Sequence, residues 1–211
     1  MKKKRGKKIL KRKIRKEKID NSFFGLYRQS WNYIKESKNY IYSVIGVFVA
    51  FALIGYFVPP TPEIQEMIME FLRDLIEKTQ NLNQGELTVY IFWNNLQSAF
   101  TGLFFGIVLG FFSVIATMIN GYVVGYVSKL AVGVEGPSVL WQLVPHGIFE
   151  LPAVLVSLGL GLKLGSFIFQ EKKIESLKHF LWMSFLVFVL IVLPLLIIAA
   201  IIEGGLINFF R

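Results

Sequence analysis

Three long stretches of this chain carry no formal charge: residues 40–58, 89–128 and 182–202. A helix needs about 20 predominantly apolar residues to cross a hydrocarbon core roughly 30 Å thick. Water-soluble domains space their apolar residues periodically along each element instead of gathering them in blocks. Inside hydrocarbon every backbone amide needs a partner within the protein, so such blocks fold as helices. An outer-membrane barrel alternates apolar and polar residues over segments of about ten, a pattern this chain lacks. The expected fold class is all-α: a polytopic transmembrane helical bundle of about five spans with one broken helix.

Charge orients the bundle. The formal net charge is +9, but 12 of the 23 Lys and Arg residues crowd into residues 2–18. Residues 1–38 read as a basic cytoplasmic arm. Its cations attract anionic headgroups, worth about 1 kcal/mol per basic residue near the surface. Nucleic acid is the weaker partner for it, and a solvated tail that merely enforces topology is the plainer alternative. Phe23, Phe24, Tyr27, Trp31 and Ile34 fall at helical spacing. They suit either an interfacial helix or an extension of the first span.

The bundle itself occupies residues 39–211. Its first span, 40–58, is stopped by Pro59, Pro60 and Pro62. Residues 62–82 then form an amphipathic helix with an acidic polar face of Glu63, Glu66, Glu70, Asp74 and Glu77. Cytoplasmic loops collect Lys and Arg, so the N-terminus sits inside and this helix outside. Further spans are expected at 89–119, 121–134, 138–169 and 180–202, with a turn at Asn120–Gly121 and a basic cytoplasmic loop at 170–179. The C-terminus then lies outside a multi-pass protein of the cell (plasma) membrane. With no cysteine, disulfides and thiolate metal sites are excluded.

Small residues mark where helices approach. Gly102, Gly106 and Gly110 recur every four residues, as do Gly121 and Gly125, and Gly161 and Gly165. In lipid such spacing lets backbones pack closely. Three sets in one chain favour packing within the bundle over three separate dimer interfaces.

Few polar residues fall at membrane depth: Asn94, Asn95 and Gln97 near the second span, Asn120 at its end, and His146 and Glu150 in the fourth segment. Ionisable groups in lipid are costly without a partner, which makes them candidates for function. Pro145, Gly147 and Pro152 surround the last pair and predict a break there. His146 and Glu150, four apart, share a helical face. Three readings stay open: a structural hydrogen-bond cluster, an ion-binding or proton-linked permeation site, and a metal site or catalytic pair. Two ligands do not make a metal site, so metal ligation stays open. No catalytic residue is assigned, and no cofactor is expected.

The motifs WNN at 93–95, ING at 119–121 and PHGIFELPA at 145–153, taken together, resemble the stage II sporulation protein M family. The resemblance spans residues 41–202 and is most specific in PHGIFELPA. Positions matching its motifs are Asn94, Asn95, Asn120, Pro145, His146, Gly147, Glu150 and Pro152. The basic arm and the acidic helix lie outside the family pattern. The resemblance implies a five-span protein. In endospore-formers the family member recruits peptidoglycan-remodelling proteins to the septal membrane during engulfment. The leading expectation is accordingly a non-enzymatic integral membrane scaffold that binds membrane or extracytoplasmic partner proteins, with homo-oligomerisation open. The alternatives are a small transporter or channel with an intramembrane polar site, and an intramembrane metal-binding or enzymatic protein.

Overall fold

Caps, prolines and one left-handed glycine set the helix boundaries. A computed structural model describes residues 22–108 and 110–210, the side chains of 142–146 and 206–210 excepted. The basic arm over residues 1–20, with its expected headgroup contacts, lies outside the described residues. Ser22 accepts a hydrogen bond from the Gly25 N–H at 3.2 Å and opens α1 (Phe23–Glu36). At Ser37 the chain turns into α2 (Lys38–Phe57). Val58, which precedes two prolines, is extended and ends α2. Pro62 occupies the first turn of α3 (Pro62–Thr79), where its missing N–H costs nothing. Asn83 and Glu86 exchange capping bonds of 3.0 Å and start α4 (Gln84–Phe104).

Beyond α4 the structure departs from the expected boundaries. Residues 89–119 do not form one span. α4 tightens into a 3₁₀ turn at Phe105–Ile107, and Gly110 takes φ +70° before α5 (Phe111–Glu135) begins. That backbone conformation is one L side chains rarely adopt. Asn120 and Gly121, read as a turn, lie inside α5, and residues 121–134 are its second half. The reason is tertiary. A Cβ on Gly121 would stand 2.6 Å from the Phe48 carbonyl oxygen, so this glycine provides close approach to α2.

The expected break at Pro145–Pro152 is also displaced. A 3₁₀ segment, Pro137–Leu143, precedes α6 (Val144–Gly165), which runs on through Pro152. Pro145 falls in the first turn of α6, where helices tolerate proline. A 3₁₀ turn (Ser166–Phe169) leads to α7 (Lys173–Val187), a π-helical turn (Phe188–Val192) and α8 (Leu193–Phe210). The π turn bonds the Leu193 N–H to the Phe188 carbonyl directly before Pro194, which has no N–H to continue the α pattern.

Among the described residues, four helical stretches are long and apolar enough to cross a membrane: Lys38–Phe57, Phe111–Glu135, Gly147–Phe169 and Lys173–Gly205. α4 runs through the same bundle with more polar residues. Cross-helix contacts give the directions. Phe48 meets Gly121 and Ala52 meets Gly125, so α2 and α5 run the same way. Ser37 meets Lys163 and Ile41 meets Gly159, so α6 runs opposite to α2. Asn95 meets Glu150 and Gly102 meets Leu158, so α4 runs with α6, whereas Thr88 against Gly204 sets α8 antiparallel to α4. The chain thus passes through the bundle five times among the described residues, entering α2 and leaving α8 at opposite faces.

The glycine sets pack within the chain. Gly102 faces Leu158, Gly106 faces Gly161, Gly110 faces Leu162, and Gly125 lies against the Ala52 carbonyl. Gly165 is buried at the end of α6. α1 docks on α7 with Ser30 and Tyr33 buried, while Phe23, Phe24 and Trp31 stay exposed. α3 lies beside α2 and α5, with Ile64, Met67 and Phe71 lining an apolar cleft of about 550 Å³ opposite Phe51, Met118 and Tyr122.

Gly125→Val forces a branched side chain into the Ala52 carbonyl. Overpacking of this kind costs about 1–3 kcal/mol. The variant is expected to unfold in detergent at a lower temperature than the parent, followed by tryptophan fluorescence. Gly46→Ala, whose Cβ meets open space, should match or slightly exceed the parent. Equal midpoints for the two variants would contradict this packing.

Candidate functional site

Successive residues on a helix are separated by 100°, so neighbours in sequence point to different places. Asn94 and Asn95 illustrate it on α4. Asn95 turns inward, 7% exposed, and its Nδ2 donates to Oε2 of Glu150 on α6 at 2.5 Å. Glu150 is itself 8% exposed. A carboxyl group at this depth is costly unless hydrogen-bonded, and the α4–α6 contact supplies that bond. The backbone of His146 is part of α6, one turn before Glu150, and its side chain lies outside the described residues.

The remaining polar candidates are elsewhere. Asn94 and Gln97 face outward into a groove between α4 and α5. Asn120 is exposed, donates to the Ala116 carbonyl of its own helix at 2.8 Å, and lines the cleft under α3. The structure therefore joins Asn95 to Glu150 and distributes Asn94, Gln97 and Asn120 over two other surfaces. Pro145, Gly147 and Pro152 all belong to α6. Among the described residues, no three His, Cys, Asp or Glu side chains converge as a metal site would require.

Sequence reasoning overlooked a second polar cluster. Lys163 lies within α6 and is 7% exposed. Its Nζ donates to Ser37 Oγ at 2.9 Å and stands 3.7 Å from the centre of the Tyr33 ring. The aromatic face and the hydroxyl both favour a cation there. Ser37 in turn donates to the Tyr33 carbonyl at 2.6 Å, so α6 is tied to the elbow between α1 and α2. Tyr40 extends the tie by donating to Ser166 Oγ at 3.1 Å. Burial pushes the Tyr33 phenol well above its ordinary value, keeping it a neutral donor. Ser184 lies beside it, outside hydrogen-bond geometry. The available signal was a lone lysine in the apolar run LGLGLKLGSF.

Hydroxyls also stitch helix to helix at backbone level. Ser157 of α6 donates to the Ala99 carbonyl of α4 at 2.7 Å, and Ser113 of α5 donates to the Gly102 carbonyl at 2.8 Å. Chemically, these interior groups hold helices in register. The Glu63 N–H and the Thr61 hydroxyl hold the Glu63 carboxyl below its usual range, and Asp74 raises the Lys78 ammonium.

A family model described as Stage II sporulation protein M matches residues 44–206. Comparisons with curated proteins and with solved structures return no match.

Two variants separate hydrogen bonding from charge at the interior pair. Glu150→Gln keeps a carbonyl oxygen for the Asn95 amide and should leave the unfolding midpoint in detergent close to the parent. Asn95→Leu removes the donor and should cost about 1–3 kcal/mol. A Glu150→Gln bundle that unfolds more readily than the Asn95→Leu bundle would show that the carboxylate charge, not the hydrogen bond, holds α4 to α6.

Proposed function

The chain belongs to the stage II sporulation protein M family, and on that premise we propose that it is a membrane scaffold that recruits partner proteins. The observation that carries this reading is the commitment of the interior carboxylate. Glu150 is buried and bonded to Asn95 between two helices of the same chain. Lys163 is used in the same way, bound to Ser37 and stacked on Tyr33. These two interior ionisable groups thus hold the bundle together, and in this reading recognition falls to its surface.

α3 is the surface element best suited to it. The excess of Lys and Arg near the N-terminus favours that end in the cytoplasm. One pass through α2 then carries α3 to the outer face. The helix rests on the bundle through Ile68, which is buried, and turns Glu66, Glu70 and Glu77 outward. Its apolar residues reach the level of Phe51, two turns before the end of α2. That depth suits an amphipathic helix in the headgroup layer, whose apolar face enters about 5–10 Å. The expected partner is an extracytoplasmic protein with a basic surface, drawn in by complementary charge.

A photo-reactive residue in place of Glu70 tests this in native membranes. Discrete adducts are expected from that position and not from a probe at Ile201 on α8. They should vanish when Glu66→Lys and Glu77→Lys reverse the face. No adduct at Glu70, or adducts indifferent to charge reversal, would count against the scaffold reading.

A further inference from the structure

Among the described residues, Asn94, Gln97, Ser98 and Thr101 of α4 find no side-chain partner. They stand at positions i, i+3, i+4 and i+7, which places them in one stripe along the helix. All four are exposed, and among the described residues none of their side chains is hydrogen-bonded. The stripe forms one wall of a groove of about 540 Å³. The opposite wall is apolar and belongs to α5, with Phe112, Ile115 and Ile119. α4 and α5 are joined at the bottom of this groove by the Ser113–Gly102 hydrogen bond and open away from each other toward Asn94.

The groove lies at hydrocarbon depth. Asn95, next to the stripe, is level with Glu150, and the facing part of α5 is level with Val44, nearly two turns into α2. Unpaired amides and hydroxyls there cost several kcal/mol each against lipid. A water-filled groove is poorly served by a wall of Phe and Ile side chains. A helix presenting matching amides serves it well.

We infer that the stripe is a homodimer interface, with α4 of one copy seated in the α4–α5 groove of a second copy of this chain. The stripe is its own complement. Each carboxamide offers two N–H donors and an acceptor oxygen, and each hydroxyl donates and accepts. It carries no charge, so no oppositely charged partner is called for. Two copies inserted the same way in one bilayer are related by a two-fold axis along the membrane normal. That axis sets α4 parallel to α4, with Asn94 opposite Asn94 and Gln97 opposite Gln97 at equal depth. The 94, 97, 101 spacing is that of a parallel helix seam, in which buried amides select partner and register. The same symmetry brings Trp93 and Phe104, exposed along one flank of the stripe, onto the apolar α5 wall of the partner. The inference rests on α4 and α5 alone and stands whether or not α3 engages another protein.

The chain has no cysteine, so single thiols report directly on proximity. Thr101→Cys stands on the proposed seam and should form a disulfide-linked dimer on mild oxidation in native membranes. Ile201→Cys, on the exposed side of α8, should not. Asn94→Leu combined with Gln97→Leu should weaken self-association about tenfold or more, measured by energy transfer between labelled copies diluted in lipid vesicles. Three outcomes overturn the inference: Thr101→Cys linking no better than Ile201→Cys, linking to a different protein, or rapid labelling by a membrane-impermeant maleimide, which marks a water-filled groove. Unchanged association in the double leucine variant overturns it as well.

Discussion

The carbonyl of Ala52 rests on the bare Cα of Gly125, and the carbonyl of Phe48 rests on Gly121. This backbone contact between α2 and α5 is the one on which the arrangement depends. Lipid tails are as apolar as leucine, so nothing drives two apolar helices together except close contact and hydrogen bonding. Contact improves as the axes approach, and the axes approach only where Cβ atoms are missing. Gly106 against Gly161 repeats the device between the end of α4 and α6. Gly110 adds a left-handed turn that reverses the chain there.

Once the axes are close, short polar side chains reach across. Ser157 and Ser113 bond carbonyls of α4, Asn95 bonds Glu150, and Lys163 bonds Ser37. Each bond serves a group that lipid would leave unsatisfied. The polar interior and the glycine seams are therefore one design: glycine brings the helices near, and hydroxyls, amides and one ammonium fix their register. The α4 stripe stands apart because it follows the same chemistry on the outside of the bundle.

Membership of the stage II sporulation protein M family covers residues 44–206, from within α2 to α8. α1 lies before that stretch, docked through Tyr33 against α7 and Lys163. The matched stretch runs across the groove and the Asn95–Glu150 pair and, contrary to the expectation from the motifs, across the acidic helix α3 as well. In the proposed reading, an interior used for cohesion leaves assembly to the outer face of α3 and the α4–α5 groove.

Much of this was legible in the sequence, because lipid makes hydropathy and length nearly sufficient to identify a crossing helix. The uncharged blocks fall on α2, on α4 and α5, and on α7 and α8, while α6 reads as a span from its length and hydropathy despite Glu150 and Lys163. Proline after residue 58 and the period of residues 62–82 gave the end of α2 and the amphipathic α3. Side-chain chemistry put Asn95 and Glu150 among six polar candidates, and only the fold joined those two. Other features required the tertiary structure. Asn120–Gly121 reads as a turn and proves to be helix, and the reversal falls ten residues earlier, at Gly110. A glycine has the same signature whether it supplies a positive φ or a place for another backbone, and only the neighbour decides. Asn94 and Asn95 are adjacent letters, yet one is sealed against Glu150 and the other opens on a groove. Lys163 is a lone charge in an apolar run, and only the fold brings Ser37 and Tyr33, more than a hundred residues away, beside it. Sequence determined which segments enter the membrane; packing decided which face of each segment meets protein, because that depends on partners distant in the chain.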